Sequence, residues 1–141
     1  MTLCAIIVFV KENTLEKIEI ENARKEIKLG LLKMGMRCDF SGFNYLSYAV
    51  ELVVQDPKLI DNLCSDLYVQ VAEHFNVENT GCIERSIRHA IYTLGKTKGF
   101  DALNKMFHAN LFDSENRPTA GELIRLMAEY YNTGLYKENK K

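Results

Sequence analysis

The side chains best suited to chemistry on a partner lie in one stretch, Thr80 to Leu94, which reads Thr-Gly-Cys-Ile-Glu-Arg-Ser-Ile-Arg-His-Ala-Ile-Tyr-Thr-Leu. An arginine guanidinium presents a rigid fork of N–H donors that matches a phosphate or the O6 and N7 acceptors of guanine, and a glutamate can accept from a cytosine amine. At ~100° per residue, Ile83, Ile87, Ala90, Ile91 and Leu94 share one helical stripe, while Gly81, Arg85, Arg88 and Tyr92 fall opposite. One face holds a core and the other is free to touch a partner.

A reading face needs a second helix to brace it. Just upstream, Leu67, Val71 and Phe75 repeat at helical spacing, and Ala72 leaves room for a close helix crossing. Val71, Ala72, Phe75 and Val77 match the offsets of a helix-turn-helix. The next inward position falls on Cys82, whereas the apolar stripe begins at Ile83. The spacing therefore predicts a turn one residue longer than usual, built from Asn76, Glu78, Asn79, Thr80 and Gly81, residue types that cap helices and enter turns. The same pattern also suits two packed helices with no DNA role.

Leu67-Tyr68, Val71-Ala72, Phe75-Asn76 and above all Glu84-Arg85-Ser86-Ile87-Arg88-His89-Ala90-Ile91 resemble the C-terminal effector domain of the sporulation stage-zero A response regulator family, a transcription factor of endospore-forming bacteria. Gly42-Phe43-Asn44-Tyr45-Leu46 upstream and Arg117-Pro118-Thr119-Ala120-Gly121-Glu122-Leu123-Ile124 downstream extend the resemblance from about residue 23 to residue 131. It implies a mainly helical, compact bundle that binds double-stranded DNA. Helix 80–94 would enter the major groove while Leu67–Phe75 lies across the backbone. In the family the Glu-Arg pair and the later Arg contact bases and phosphates, which carries over to Glu84, Arg85 and Arg88. The candidate interface is Thr80, Gly81, Glu84, Arg85, Arg88, His89, Lys96 and Lys98. His89 suits a phosphate or packing role.

Departures from the family pattern keep a second function class in view. Gly81-Cys82 stands where the family has Ser-Arg, and Glu73-His74 where it has Lys-Lys. The first loses a groove contact; the second sets a carboxylate against phosphate. A non-DNA-binding relative that pairs with a sporulation-type regulator and modulates it would tolerate both changes.

Charge supports the interface by its distribution rather than its total. The formal net is −1 over 141 residues, yet Thr80–Gly99 carries Arg85, Arg88, Lys96 and Lys98 against Glu84 alone. Phe43–Asn79 holds six acids against Lys58. Positive charge gathers on the reading helix and just after it. Cys4, Cys38, Cys64 and Cys82 show no metal-ligand spacing, and His74, His89 and His108 stand beside no nucleophile or phosphate loop. Neither catalysis nor a metal, cofactor or small-molecule ligand is expected, and reduced thiols in the cytoplasm are the default.

Three segments are predicted. Residues 1–21 form an N-terminal extension, 22–133 the effector domain, and 134–141 a frayed tail. Leu3–Val10 is rich in β-branched residues, too short to span a bilayer, and followed by Lys11-Glu-Asn-Thr14, so a hairpin with Leu15–Ile20 is expected. A helix from a Thr14 cap through Ile18, Ala23 and Ile27 to Met34 competes with it. A lone hairpin is too small to stand free in water. No stretch resembles the family's receiver domain, so this segment is expected to help build a homodimer. Further helices are expected at Ala23–Met34, after a Ser41 or Asn44 cap, at Phe100–Phe107, and after Thr119 with Glu122 in capping-box spacing.

Overall fold

The computed structural model describes the backbone of residues 3–138 and the side chains of residues 17–138. Its first element, α1 (Leu3–Lys33), is one continuous helix, which overturns the expected hairpin and runs past the Thr14 cap of the competing reading. The physical reason lies in two places. Lys11-Glu-Asn-Thr14 offers no glycine for the left-handed residues of a tight hairpin, and downstream Ala23, Ile27, Leu31 and Met34 bury one helical stripe in the core. Once that stripe has nucleated a helix, extending it costs little per residue. Gly35, at φ 91°, ends it: the N–H groups of Gly35 and Met36 close back on the carbonyls of Leu32 and Leu31 at 2.9 and 3.1 Å.

Helix α2 (Ser41–Gln55) is the centre of the bundle and touches α1 on one side. Neither Ser41 nor Asn44 caps it. The N-cap is Phe40, with no side-chain bond, because the helix starts early enough to enclose both polar candidates. Leu46, Val50 and Val53 face inward as their spacing requires. Glu51 is buried on the α1 side, where Arg24 meets it with a fork at 2.9 and 3.2 Å. A carboxylate taken out of water needs such a partner.

Asp56 ends α2, and its side chain accepts from the Lys58 N–H to open a tight 3₁₀ turn, Pro57–Asp61. A wider π turn, Leu63–Leu67, feeds α3 (Tyr68–Phe75), which is followed by α4 (Thr80–Lys96) and α5 (Gly99–Phe107). Helix α6 (Ala120–Asn132) carries the expected capping box: the Thr119 hydroxyl accepts from the Glu122 N–H and donates to the Glu122 carboxylate, both at 3.1 Å. The tail expected to fray contains a last helical turn, α7 (Leu135–Glu138), whose Tyr136 stacks on Tyr131 at 5.1 Å. Ile27, Leu31, Leu46, Leu67, Ile83, Ile87, Leu103, Leu123 and Ile124 form the shared core. No described helix is long and apolar enough to cross a membrane.

Candidate nucleic-acid interface

Helices α3 and α4 form the helix-turn-helix, and the turn between them is closed by its own backbone. Asn76 takes the left-handed conformation at φ 58°. The N–H of Val77 reaches the Ala72 carbonyl at 2.8 Å and that of Asn76 the Glu73 carbonyl at 3.3 Å, so α3 ends in a Schellman closure. Asn79 then caps α4 by accepting from the Cys82 N–H at 3.3 Å. The turn is therefore Asn76–Asn79. Thr80 and Gly81, expected within it, are the first two residues of α4, because Asn79 rather than Thr80 supplies the capping oxygen.

The apolar stripe falls where its period puts it, with Ile83, Ile87, Ala90, Ile91 and Leu94 buried. Opposite it, Arg85, Arg88, His89, Tyr92 and Lys96 line the exposed face over three turns. Arg85 lies back along the helix, donating from Nε to the Gly81 carbonyl at 3.3 Å. Arg88 reaches Glu84 and pairs with it, and both side chains keep substantial exposure, 71% and 40%. Their charges cancel locally, at an exposure where such a pair adds at most ~1 kcal/mol to stability.

His89 packs at 5.4 Å from the ring of Phe40, the residue before α2, and Arg37 lies over the same ring at 5.1 Å. Asp39 binds the Arg37 guanidinium at 2.7 and 3.1 Å, a hydrogen bond that holds the carboxyl below its ordinary range. Farther along, Lys96 Nζ and the Arg117 guanidinium stand 4.6 and 4.9 Å from the centre of the Tyr92 ring. The hydrogen bond from Lys96, with its charge, lowers the Tyr92 phenol pKa. Lys98 is exposed at φ 61°, at the hinge into α5.

The position of α4 is set by α2. Gly42 lies so close to α4 that a Cβ there would overlap the Ser86 carbonyl oxygen and meet the Ala90 Cβ at 3.0 Å. Ser41 Oγ lies 3.4 Å from Ser86 Oγ in the same crossing. On α3, Glu73 is exposed and His74 stacks on Tyr48 at 3.9 Å. The aromatic residues of α2 are thus packing residues: Phe43 is buried, and Tyr45 and Tyr48 lean on Phe75 at 5.1 and 5.7 Å. Between α3, α4 and α6 a cavity of about 320 Å³ is lined by Tyr68, Cys64, Glu84, Arg88 and Gly121. Burial, then the Glu84 charge, pushes the Tyr68 phenol up to about 12.

Of the residues singled out in the sequence, the fold gathers Arg85, Arg88, His89 and Lys96 on one exposed line with Glu84 beside it, places Thr80 and Gly81 at the helix start, and sets Lys98 beyond the helix end. Arg117 and Phe40 were not among them. Arg117 is brought in by the Ser114–Pro118 loop and figures in the sequence only as the start of the downstream stretch that carries the family resemblance, and Phe40 is a lone aromatic in a loop.

A helical bundle whose turn-linked helix pair offers an arginine-bearing face is the architecture of a helix-turn-helix effector. Residues 27–131 match the family described as sporulation initiation factor Spo0A C terminal, and the chain belongs to that family. The family is the DNA-binding effector domain of a sporulation response regulator, and at that level the protein is a DNA-binding regulator.

Proposed function

We propose that the protein is a sequence-specific transcriptional regulator that sets α4 in the major groove of double-stranded DNA, acts in the cytoplasm where the chromosome lies, and does so as a homodimer. The observation that carries this reading is the exposed line of Arg85, Arg88, His89 and Lys96 on a helix whose opposite stripe is wholly buried. Arg85 lies near the start of α4, where side chains of a groove-bound helix reach base edges, and it reads guanine O6 and N7. Glu84 accepts from cytosine N4. Arg88 holds phosphate once DNA displaces it from Glu84. Thr80 and Gly81 offer first-turn N–H groups to a phosphate, and His89, Lys96 and Lys98 flank the backbone. Residues 22–133 are the effector unit in this reading.

Exposed Glu73 on α3 and the cancelling pair on α4 favour the second reading, an interaction module that modulates a sporulation-type regulator. Selection of a preferred duplex from a random pool, followed by fluorescence anisotropy on selected and scrambled duplexes, separates the two. Binding that favours the selected duplex by ~10³-fold or more supports the regulator. An empty selection, with no anisotropy change at low salt, overturns it.

A further inference from the structure

Among its described side chains, helix α1 has a second face that the fold leaves uncovered. Its 31 residues span about 46 Å. Ala23, Ile27, Gly30, Leu31 and Met34 pack inward, against α2 and α6. On the opposite side Ile18, Asn22, Lys25, Leu29 and Leu32 are exposed, with Ile18, Leu29 and Leu32 at 47%, 37% and 45%. These are three of the five large apolar residues exposed among those described. Their spacing alternates four and three residues, the repeat of a coiled-coil seam, and the sequence continues it upstream at Cys4, Val8, Lys11 and Leu15. Scattered exposed leucines need no explanation, but apolar residues in heptad register on a long helix do.

We infer that this face pairs with the same face of a second copy, the two α1 helices running antiparallel. The occupant follows from complementarity. A two-fold axis between residues 23 and 24 sets Ile18 against Leu29 of the second copy, and Asn22 against its Lys25. Over the span the two helices share, Leu15 likewise meets Leu32, so each apolar position there meets an apolar one and the polar pair meets itself in reverse, while Cys4, Val8 and Lys11 extend past the end of the partner helix. A surface that satisfies itself under a two-fold is what an isologous dimer requires. Flanking charges choose the direction. In the antiparallel pair Glu21 faces Lys28 of the other chain and Glu19 faces Glu26, each twice by the two-fold, so attraction offsets repulsion. In a parallel pair Glu21 would face Glu26 and Lys28 would face Lys33, with Lys25 opposite itself, so repulsion would go unopposed. The domain bodies sit on the outer side of each helix, away from the seam. The inference rests on the homodimer part of the proposed function and supplies its interface.

The test is sedimentation equilibrium of the full chain without DNA, up to about 100 µM, a concentration at which even weak pairs with ~10 µM dissociation constants associate. The parent is expected to weigh two chains. Ile18→Glu with Leu29→Glu should leave a monomer with unchanged helical circular dichroism, since both positions are exposed. Glu21→Lys should weaken the dimer by roughly three- to tenfold, and adding Lys28→Glu should restore it. A monomeric parent, a dimer indifferent to the paired glutamates, or a Glu21→Lys dimer tighter than the parent, which signals parallel helices, overturns the inference. Anisotropy on a single-site duplex, run alongside, keeps the DNA reading separate. A monomeric parent that still binds that duplex sinks only the dimer.

Discussion

Arg85 and Arg88 stand almost one turn apart on the same face, but their surroundings give them different work in the proposed interface. Arg85 rests against the backbone and has no carboxylate partner among the described residues, whereas Arg88 must first leave Glu84. Arg85→Ala should therefore cost ~1–3 kcal/mol on the selected duplex and relax preference at one base pair. Arg88→Ala should weaken all duplexes alike and reduce the slope of log affinity against log salt by about one unit. Glu84→Gln runs the other way on scrambled DNA, where freeing Arg88 should raise affinity. Ile87→Ala is the control: it is buried and should lower stability by ~2–5 kcal/mol without changing which duplex the folded molecules prefer. Anisotropy on both duplexes, beside thermal melts, checks all four. Arg85→Ala binding both duplexes as well as the parent does would remove α4 from the role of base reader.

Tyr68 offers a test of burial at the same scale. Its phenol ionises at about 12 in the folded chain and near 10.0 when exposed, so the unfolded state releases its proton first as pH rises. The stability it contributes is complete below pH 10 and is lost between about 10 and 12. Two pH units correspond to about 2–3 kcal/mol. Urea unfolding of the parent from pH 9 to 12 should show that extra loss, and Tyr68→Phe should flatten it. Identical pH profiles would place the hydroxyl in water.

At the scale of elements, what the sequence made legible and what it hid divide along local and non-local signals. The α4 stripe, the inward positions of α2 and the Thr119–Glu122 box are set by residues within a few positions of one another, so periodicity and capping chemistry suffice. At α1 the β-branched content of Leu3–Val10 points locally to a strand, whereas the helix is set by the downstream stripe at Ala23–Met34, with which that segment is continuous. The α3–α4 turn is two residues shorter than its composition suggests because Asn79 and Thr80 are both competent caps, and only the bond from the Cys82 N–H to the Asn79 side chain decides between them. Arg117 reaches Tyr92 across 25 positions, a distance no local pattern encodes.

Gly42 is the position where one element aims another. Replacing it with alanine gains up to ~1 kcal/mol of helix propensity in α2. Against that, the new methyl meets the Ser86 carbonyl, a backbone atom that cannot rotate away, and overpacking of this kind costs ~1–3 kcal/mol. The clash should win. Gly42→Ala is expected to lower the melting temperature by a few degrees and, by pushing α4 off α2, to reduce affinity for the selected duplex more than for a scrambled one. An unchanged melt with unchanged preference would mean the two helices slide freely.

For the whole molecule, a net charge of −1 provides no general attraction to a polyanion, so any pull on DNA must come from one face. On that face the proposed phosphate contacts are Arg88, once it leaves Glu84, with Lys96, Lys98 and Arg117, while Arg37 stays held by Asp39. Four phosphates neutralised per chain would give a slope of log affinity against log salt of about −3.6, and two chains on adjacent sites about −7. Exposed Glu73 and Glu78, on α3 and its turn, oppose close approach by that side, which makes docking one-sided and sharpens the dependence on geometry. Anisotropy titrations across a series of salt concentrations, on single-site and double-site duplexes, measure both slopes. A single-site slope between −3 and −4 that doubles on two sites matches one cationic face per chain in a dimer. A slope near zero on both means that no phosphate is neutralised, and the arginine line would then have to be assigned to contact with a protein instead.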